Sequence, residues 1–157
     1  MRKTLITAVI VLATVTAVAF FWNSYNKETT LLLYDTETGK VCRTFSVSEG
    51  TEFSVEFIHS VNKSPVKDVF VIKNGNIVAD RTVYSAFGAG VQTEIEDGQT
   101  LEYDSEQNMV VSGFDIVFPE VKYIVGTVYD HILYIQGESI SLTEVCGRNS
   151  HIAFKLK

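Results

Sequence analysis

An all-β fold, an antiparallel β-sandwich or small barrel behind an N-terminal transmembrane helix, follows from three observations on this 157-residue chain. Short apolar runs of strand length recur from residue 31 to the end. Turn signals containing Gly or Asn separate them. Past the first 23 residues, nothing carries the apolar period of a long helix. Many short strands with regular turns are the pattern of sandwiches and small barrels. The 10 Phe and 7 Tyr residues suit pleated, half-buried surfaces.

The chain opens Met1-Arg2-Lys3 and then runs uncharged from Leu5 to Trp22. Two basic residues before such a run fit a signal peptide or a transmembrane helix. Ala17-Val18-Ala19 offers a small-residue cleavage site, and its use after Ala19 would release a secreted domain. The run is long for a signal h-region, and Phe20-Phe21-Trp22 suit a membrane interface, so an uncleaved anchor over residues 1–23 is favoured. Arg2 and Lys3 then hold the N-terminus inside. This predicts a single-pass protein of the cell membrane, with a polar linker at 24–30 and an extracytoplasmic domain at 31–157. No cysteine follows the apolar run, which excludes a lipoprotein anchor.

Strands are expected over residues 31–34, 41–47, 52–59, 66–72, 77–84, 109–117, 122–128, 132–135, 140–142 and 152–156. Among the turns between them, Asn74-Gly75 is the clearest, a two-residue hairpin loop. The length beyond the linker is enough for one domain with its own core. Without Arg2 and Lys3 the charge is 11 basic against 19 acidic residues, or −8, which disfavours nucleic acid and anionic lipid as partners.

Cys42 and Cys146 lie near the two ends of the domain, with no CxxC spacing for a zinc knuckle or a thioredoxin-type motif. They read either as a disulfide tying the first strands to the last or as two buried free thiols. An oxidising compartment favours the bridge.

In the segment Phe53-Ser54-Val55-Glu56-Phe57-Ile58-His59-Ser60, the histidine falls in phase with the aromatic face. The Asn74-Gly75 turn pairs Ile72 with Ile77, Phe70 with Ala79 and Asp68 with Arg81. A turn centred on Lys63-Ser64 pairs His59 with Asp68, Phe57 with Phe70 and Val55 with Ile72. Opposed residues share a face. One apolar face therefore ends in a polar row of His59, Asp68 and Arg81, either a ligand or proton-transfer site or a network that satisfies its own hydrogen bonds.

Other motifs carry less chemistry. Ser60 points to the opposite strand face from His59, which argues against a nucleophile and base pair. Gly137-Glu138-Ser139 lacks the second glycine of a nucleophile elbow. His59, His131 and His151 have no ligand spacing, so no metal is assigned, and His131 reads as a strand-edge residue. Phe87-Gly88-Ala89-Gly90-Val91 permits a tight turn or close approach of backbone to a ligand, but it is no dinucleotide fingerprint. The sequon Asn62-Lys63-Ser64 is followed by Pro65 and carries no weight. No cofactor is implied, and an isolated acid–base pair argues against an enzyme, so no catalytic residue is assigned.

Phe57-Ile58-His59-Ser60-Val61, then Pro65-Val66 and Asp68, then Phe87-Gly88-Ala89-Gly90, resembles a bacterial domain family of unknown function encoded beside, and sometimes fused to, the permeases of TAXI-type TRAP transporters. The likeness spans about residues 31–157, with Gln92 standing where the family often has proline. The resemblance implies an accessory domain beside a solute transporter, with the permease or its solute-binding protein as partner. It supplies no reaction. A ligand held by His59, Ser60, Asp68, Arg81, Gly88 and Gly90 is one expectation, and a purely structural interaction module is the other.

Overall fold

The computed structural model describes residues 28–85 and 95–157. They form β1 (Thr29–Asp35), β2 (Val41–Val47), β3 (Glu52–Ile58), β4 (Pro65–Lys73), β5 (Asn76–Tyr84), β6 (Thr100–Tyr103), β7 (Met109–Phe118), β8 (Val121–Ile124), β9 (Ile132–Ile135), β10 (Glu138–Ser141), the short helix α1 (Leu142–Cys146) and β11 (His151–Leu156). Two antiparallel sheets result, a smaller one in the order β2-β1-β11-β8 and a larger one in the order β10-β9-β3-β4-β5-β7-β6. The expected all-β sandwich is what is found. Among the described residues no helix is long and apolar enough to cross a membrane. The expected anchor over 1–23, the Ala19 cleavage site and the turn carrying Gly88 and Gly90 lie outside the described residues.

Alternation builds the core. Leu31, Leu33, Phe45, Val47, Ile152 and Phe154 from the smaller sheet bury against Phe53, Val55, Phe70, Ile72, Ile77, Leu133 and Ile135 from the larger one. Phe53 joins the layers, stacked on Phe70 with ring centroids 5.2 Å apart and tilted against Phe154 at 5.3 Å. Such aromatic pairs add to the stabilisation from area burial alone.

The Asn74-Gly75 hairpin is as read. Both residues have positive φ (52° and 70°), and Lys73 pairs with Asn76, Ile72 with Ile77 and Phe70 with Ala79. Beyond those pairs the expected register fails. Asp80 is an extra residue in β5, so Val69 pairs with Arg81 and Asp68 with Thr82. This bulge turns Arg81 onto the outer face, where its guanidinium donates to both carboxylate oxygens of Glu52. The β3–β4 turn is also placed differently. Ile58 pairs with Pro65, Phe57 with Val66, Val55 with Asp68 and Phe53 with Phe70. The slip from the expected register is four residues. An even slip preserves faces, so the predicted apolar face survives although every predicted β3–β4 pair is replaced. The row of His59, Asp68 and Arg81 therefore does not form.

Two further corrections concern the second half of the chain. The strand expected over 122–128 ends at Ile124, and residues 125–131 are loop. β6 was not foreseen, and residue 142, read as strand, starts α1, whose N-cap Ser141 accepts from Glu144 N. Cys42 in β2 and Cys146 at the end of α1 are free thiols packed against the same core. The expected disulfide is not formed in this structure, and the alternative of two free thiols is what is found.

Candidate functional site

Because β3 and β9 are antiparallel neighbours, the end of one lies beside the start of the other. Glu56 is opposite Ile132, and one step outward come Phe57 and His131. Their rings stack with centroids 5.2 Å apart and planes 12° from parallel. An open cleft of about 530 Å³ is built on this pair, within the range of small-molecule sites. One wall is the end of β3 and the following loop, with Phe57, His59, Ser60 and Lys63; the other is the loop from Gly126 to His131.

Each wall is fixed by its own hydrogen bonds. In the first, His59 N donates to Ser64 O (2.9 Å) and Lys63 N to His59 O (3.0 Å). In the second, Val125 N donates to Ser150 O (3.0 Å) and Arg148 Nη1 to Thr127 O (3.0 Å). Gly126 is required there: a Cβ on it would lie 2.0 Å from Tyr129 O. Asp130 anchors the loop from behind, accepting from Ser141 Oγ, from Thr143 N (3.0 Å) and from His131 N (2.7 Å). Burial works to raise the Asp130 carboxyl, but these donors together hold it below its ordinary range.

Both imidazoles are oriented by backbone. His59 Nδ1 accepts from Val61 N (3.3 Å), and His131 Nδ1 accepts from Gly126 N (3.2 Å). Burial lowers the His131 pKa, with the Asp130 carboxylate opposing it, so this ring is neutral at pH 7. Behind the stacked pair, the Tyr123 ring packs edge-on to His131 (6.1 Å) and tilted against Phe57 (6.1 Å). Its hydroxyl donates to Asp68 (2.9 Å), which also accepts from Thr82 Oγ1 (2.9 Å). Burial raises the Asp68 carboxyl, and burial followed by the adjacent carboxylate raises the Tyr123 phenol well above its ordinary value.

Of the expected site residues, His59 and Ser60 line the cleft. Asp68 is part-buried behind it and reaches it only through Tyr123. Arg81 lies on the outer face of the larger sheet, in a separate groove with Glu52, Lys67 and Tyr134. Gly88 and Gly90 are outside the described residues. Sequence reasoning missed Lys63, the loop from Gly126 to Tyr129 and the role of His131. Gly126 within an expected strand was the available signal, since such a glycine marks a bulge or a close approach.

Among the described residues, no group of three or more His, Cys, Asp or Glu side chains is placed to hold a metal ion. Residues 53–142, more than half of the chain and including both walls, match the family described as a domain of unknown function (DUF1850), and the protein belongs to that family. No curated protein and no solved structure matches it.

Proposed function

We propose that this DUF1850 protein is a membrane-anchored extracytoplasmic accessory domain that holds a small ligand for a TAXI-type TRAP solute transport system. One observation carries the ligand-binding part: an open cleft meets His59 and adds His131, both imidazoles fixed through Nδ1 by backbone donors. Preset donors on rigid strand ends suit recognition, because little side-chain freedom is lost on binding. The transport part is supported by the resemblance carried by Phe57-Ile58-His59-Ser60-Val61 and Pro65-Val66 with Asp68. The anchor is supported by the uncharged run from Leu5 to Trp22.

A second reading, a protein-interaction module, is favoured by the rim of the same cleft. Val128 and Tyr129 there are 76% and 46% exposed, and Val61, in the loop that supplies the first wall, is 64% exposed. Detergent extraction and co-purification of the full chain test both readings. Permease or solute-binding protein retained by the wild type and lost on Val61→Ser with Val128→Ser supports docking at the rim. Recovery of neither with the wild type removes the transporter assignment. Resistance of the chain to carbonate extraction from membranes tests the anchor.

A further inference from the structure

The hydrogen-bonding character of the cleft is one-sided. An imidazole whose Nδ1 accepts a hydrogen bond carries its proton on Nε2. Val61 N occupies Nδ1 of His59, and Gly126 N occupies Nδ1 of His131. The ring nitrogen left over on each histidine is therefore an N–H donor. Lys63 adds an ammonium, which has donors only. Among the described residues lining the cleft there is no carboxylate. Of the carboxylates adjacent in sequence to lining residues, Glu56 is paired with Lys67 and Asp130 is committed to Ser141, Thr143 and His131 N. Thr127 O is already taken by Arg148. A site with two N–H donors, an ammonium and no carboxylate selects an acceptor, and an anion most strongly, because charge-assisted bonds are the strong ones. The same donors repel a cationic ligand. The remaining lining is apolar at Phe57, Ile58 and Val128, and the hydroxyl residues Ser60, Thr127 and Tyr129 can donate to an anion as well as accept.

We propose that the cleft takes a small organic oxyanion, with a carboxylate or phosphate group against His59, His131 and Lys63 and an apolar body along Phe57 and Val128. This rests on the reading of the cleft as a ligand site.

Four probes with one apolar body separate the possibilities: benzoate, phenyl phosphate, benzylamine and benzyl alcohol. Each is titrated into the purified full chain in detergent while the Nε2 resonances of the histidines are followed. The expected result is a saturable shift of the His59 and His131 signals with benzoate or phenyl phosphate, whichever is tighter naming the head group. Benzylamine and benzyl alcohol should leave them unmoved. Lys63→Met, at an exposed loop position, should weaken the anion by about tenfold or more, the scale of one charge-assisted bond. Saturable binding of benzylamine or benzyl alcohol in place of the anions overturns the oxyanion assignment and leaves the ligand site standing. Anion binding unchanged in Lys63→Met with His59→Gln also overturns it. No saturable shift with any of the four overturns the ligand-site reading and this inference together.

Discussion

The imidazole of His131 lies flat on the ring of Phe57, centroids 5.2 Å apart, and so joins the start of β9 to the end of β3 at the floor of the cleft. Neither residue is held by this contact alone, since Tyr123 packs against both. The stack makes the cleft floor part of the sandwich rather than an appendage of its loops.

Replacing Phe57 with Leu keeps an apolar side chain but removes the stack. The expected loss is about 0.5–1.5 kcal/mol, the worth of an aromatic pair beyond its buried area. Urea denaturation of the two proteins measures it. A loss of the same size from His131→Phe, which keeps the stack, would show that something other than ring contact holds this corner.

Asp68 has an inverted pH dependence. Its folded pKa is raised by burial, with Tyr123 and Thr82 as opposing donors. The folded chain therefore holds this proton to a higher pH than the unfolded chain does. Stability falls as pH rises from the ordinary carboxyl value, about 3.9, through the raised folded value, and is flat above it. Asp68→Asn should abolish that decline and be well tolerated at neutral pH. Asp68→Ala strands the Tyr123 and Thr82 hydroxyls and should cost about 1–3 kcal/mol. Denaturant midpoints across the acid range for the three proteins check both statements.

Asp130 has the opposite sign. Donors from Ser141, Thr143 and His131 outweigh burial and hold its carboxyl low. Its contribution is complete above the ordinary carboxyl value and is lost as pH falls through the folded value. Asp130→Ala should lower stability by about 1–2 kcal/mol at neutral pH, and the gap from wild type should close on acidification. A gap that stays constant with pH would assign the loss to packing instead of the carboxylate.

Face was legible in the sequence and register was not. Alternation in Phe53, Val55 and Phe57 and the Asn74-Gly75 turn identified the sheet and its buried side, because a two-residue turn with positive φ fixes a register by itself. The six-residue loop between Ile58 and Pro65 does not. Its place is set by how Phe53 stacks on Phe70 and meets Phe154 across the sandwich, and that contact is long-range. The Asp80 bulge, which takes Arg81 away from Asp68, likewise depends on pairing with β7, where three residues, 113–115, intervene opposite the same point. The cleft was half legible. His59 and Ser60 stood out on their strand, whereas His131 joins them only because β9, far along the chain, becomes the neighbour of β3.

Cys42 and Cys146 test the compartment as well as the fold. Burial, and then the neighbouring Cys42 thiol, push the Cys146 thiol up, so it is a poor nucleophile as it stands. Oxidation by a small-molecule disulfide would remove two hydrogens from the pair, form one S–S bond and release two thiols from the oxidant. If the chain is exported to an oxidising compartment as proposed, the expected mass is lower by two hydrogens than after reduction. The bridge should add up to about 4–5 kcal/mol of stability, the entropic value for so long a closed loop. Two alkylatable thiols in the protein isolated from its host without reductant would show that the pair stays reduced.

Gly126 is the residue on which the second wall depends. It accepts no side chain, because a Cβ there would stand 2.0 Å from Tyr129 O and 3.2 Å from its carbonyl carbon, both backbone atoms of the same turn. Its N–H is also the donor that fixes His131 Nδ1. Gly126→Ala must therefore push residues 126–129 outward and release the imidazole from its hydrogen bond. The core lies on the other side of Val125, which is fully buried and held by Ser150 O, so the sandwich should persist. The expected signature is a native circular dichroism spectrum and cooperative unfolding, together with an altered His131 Nε2 resonance and the loss of whatever the cleft binds. Retention of the wild-type His131 signal in Gly126→Ala would mean that the stack on Phe57 alone orients the ring, and that the close approach at Gly126 serves the turn and not the site.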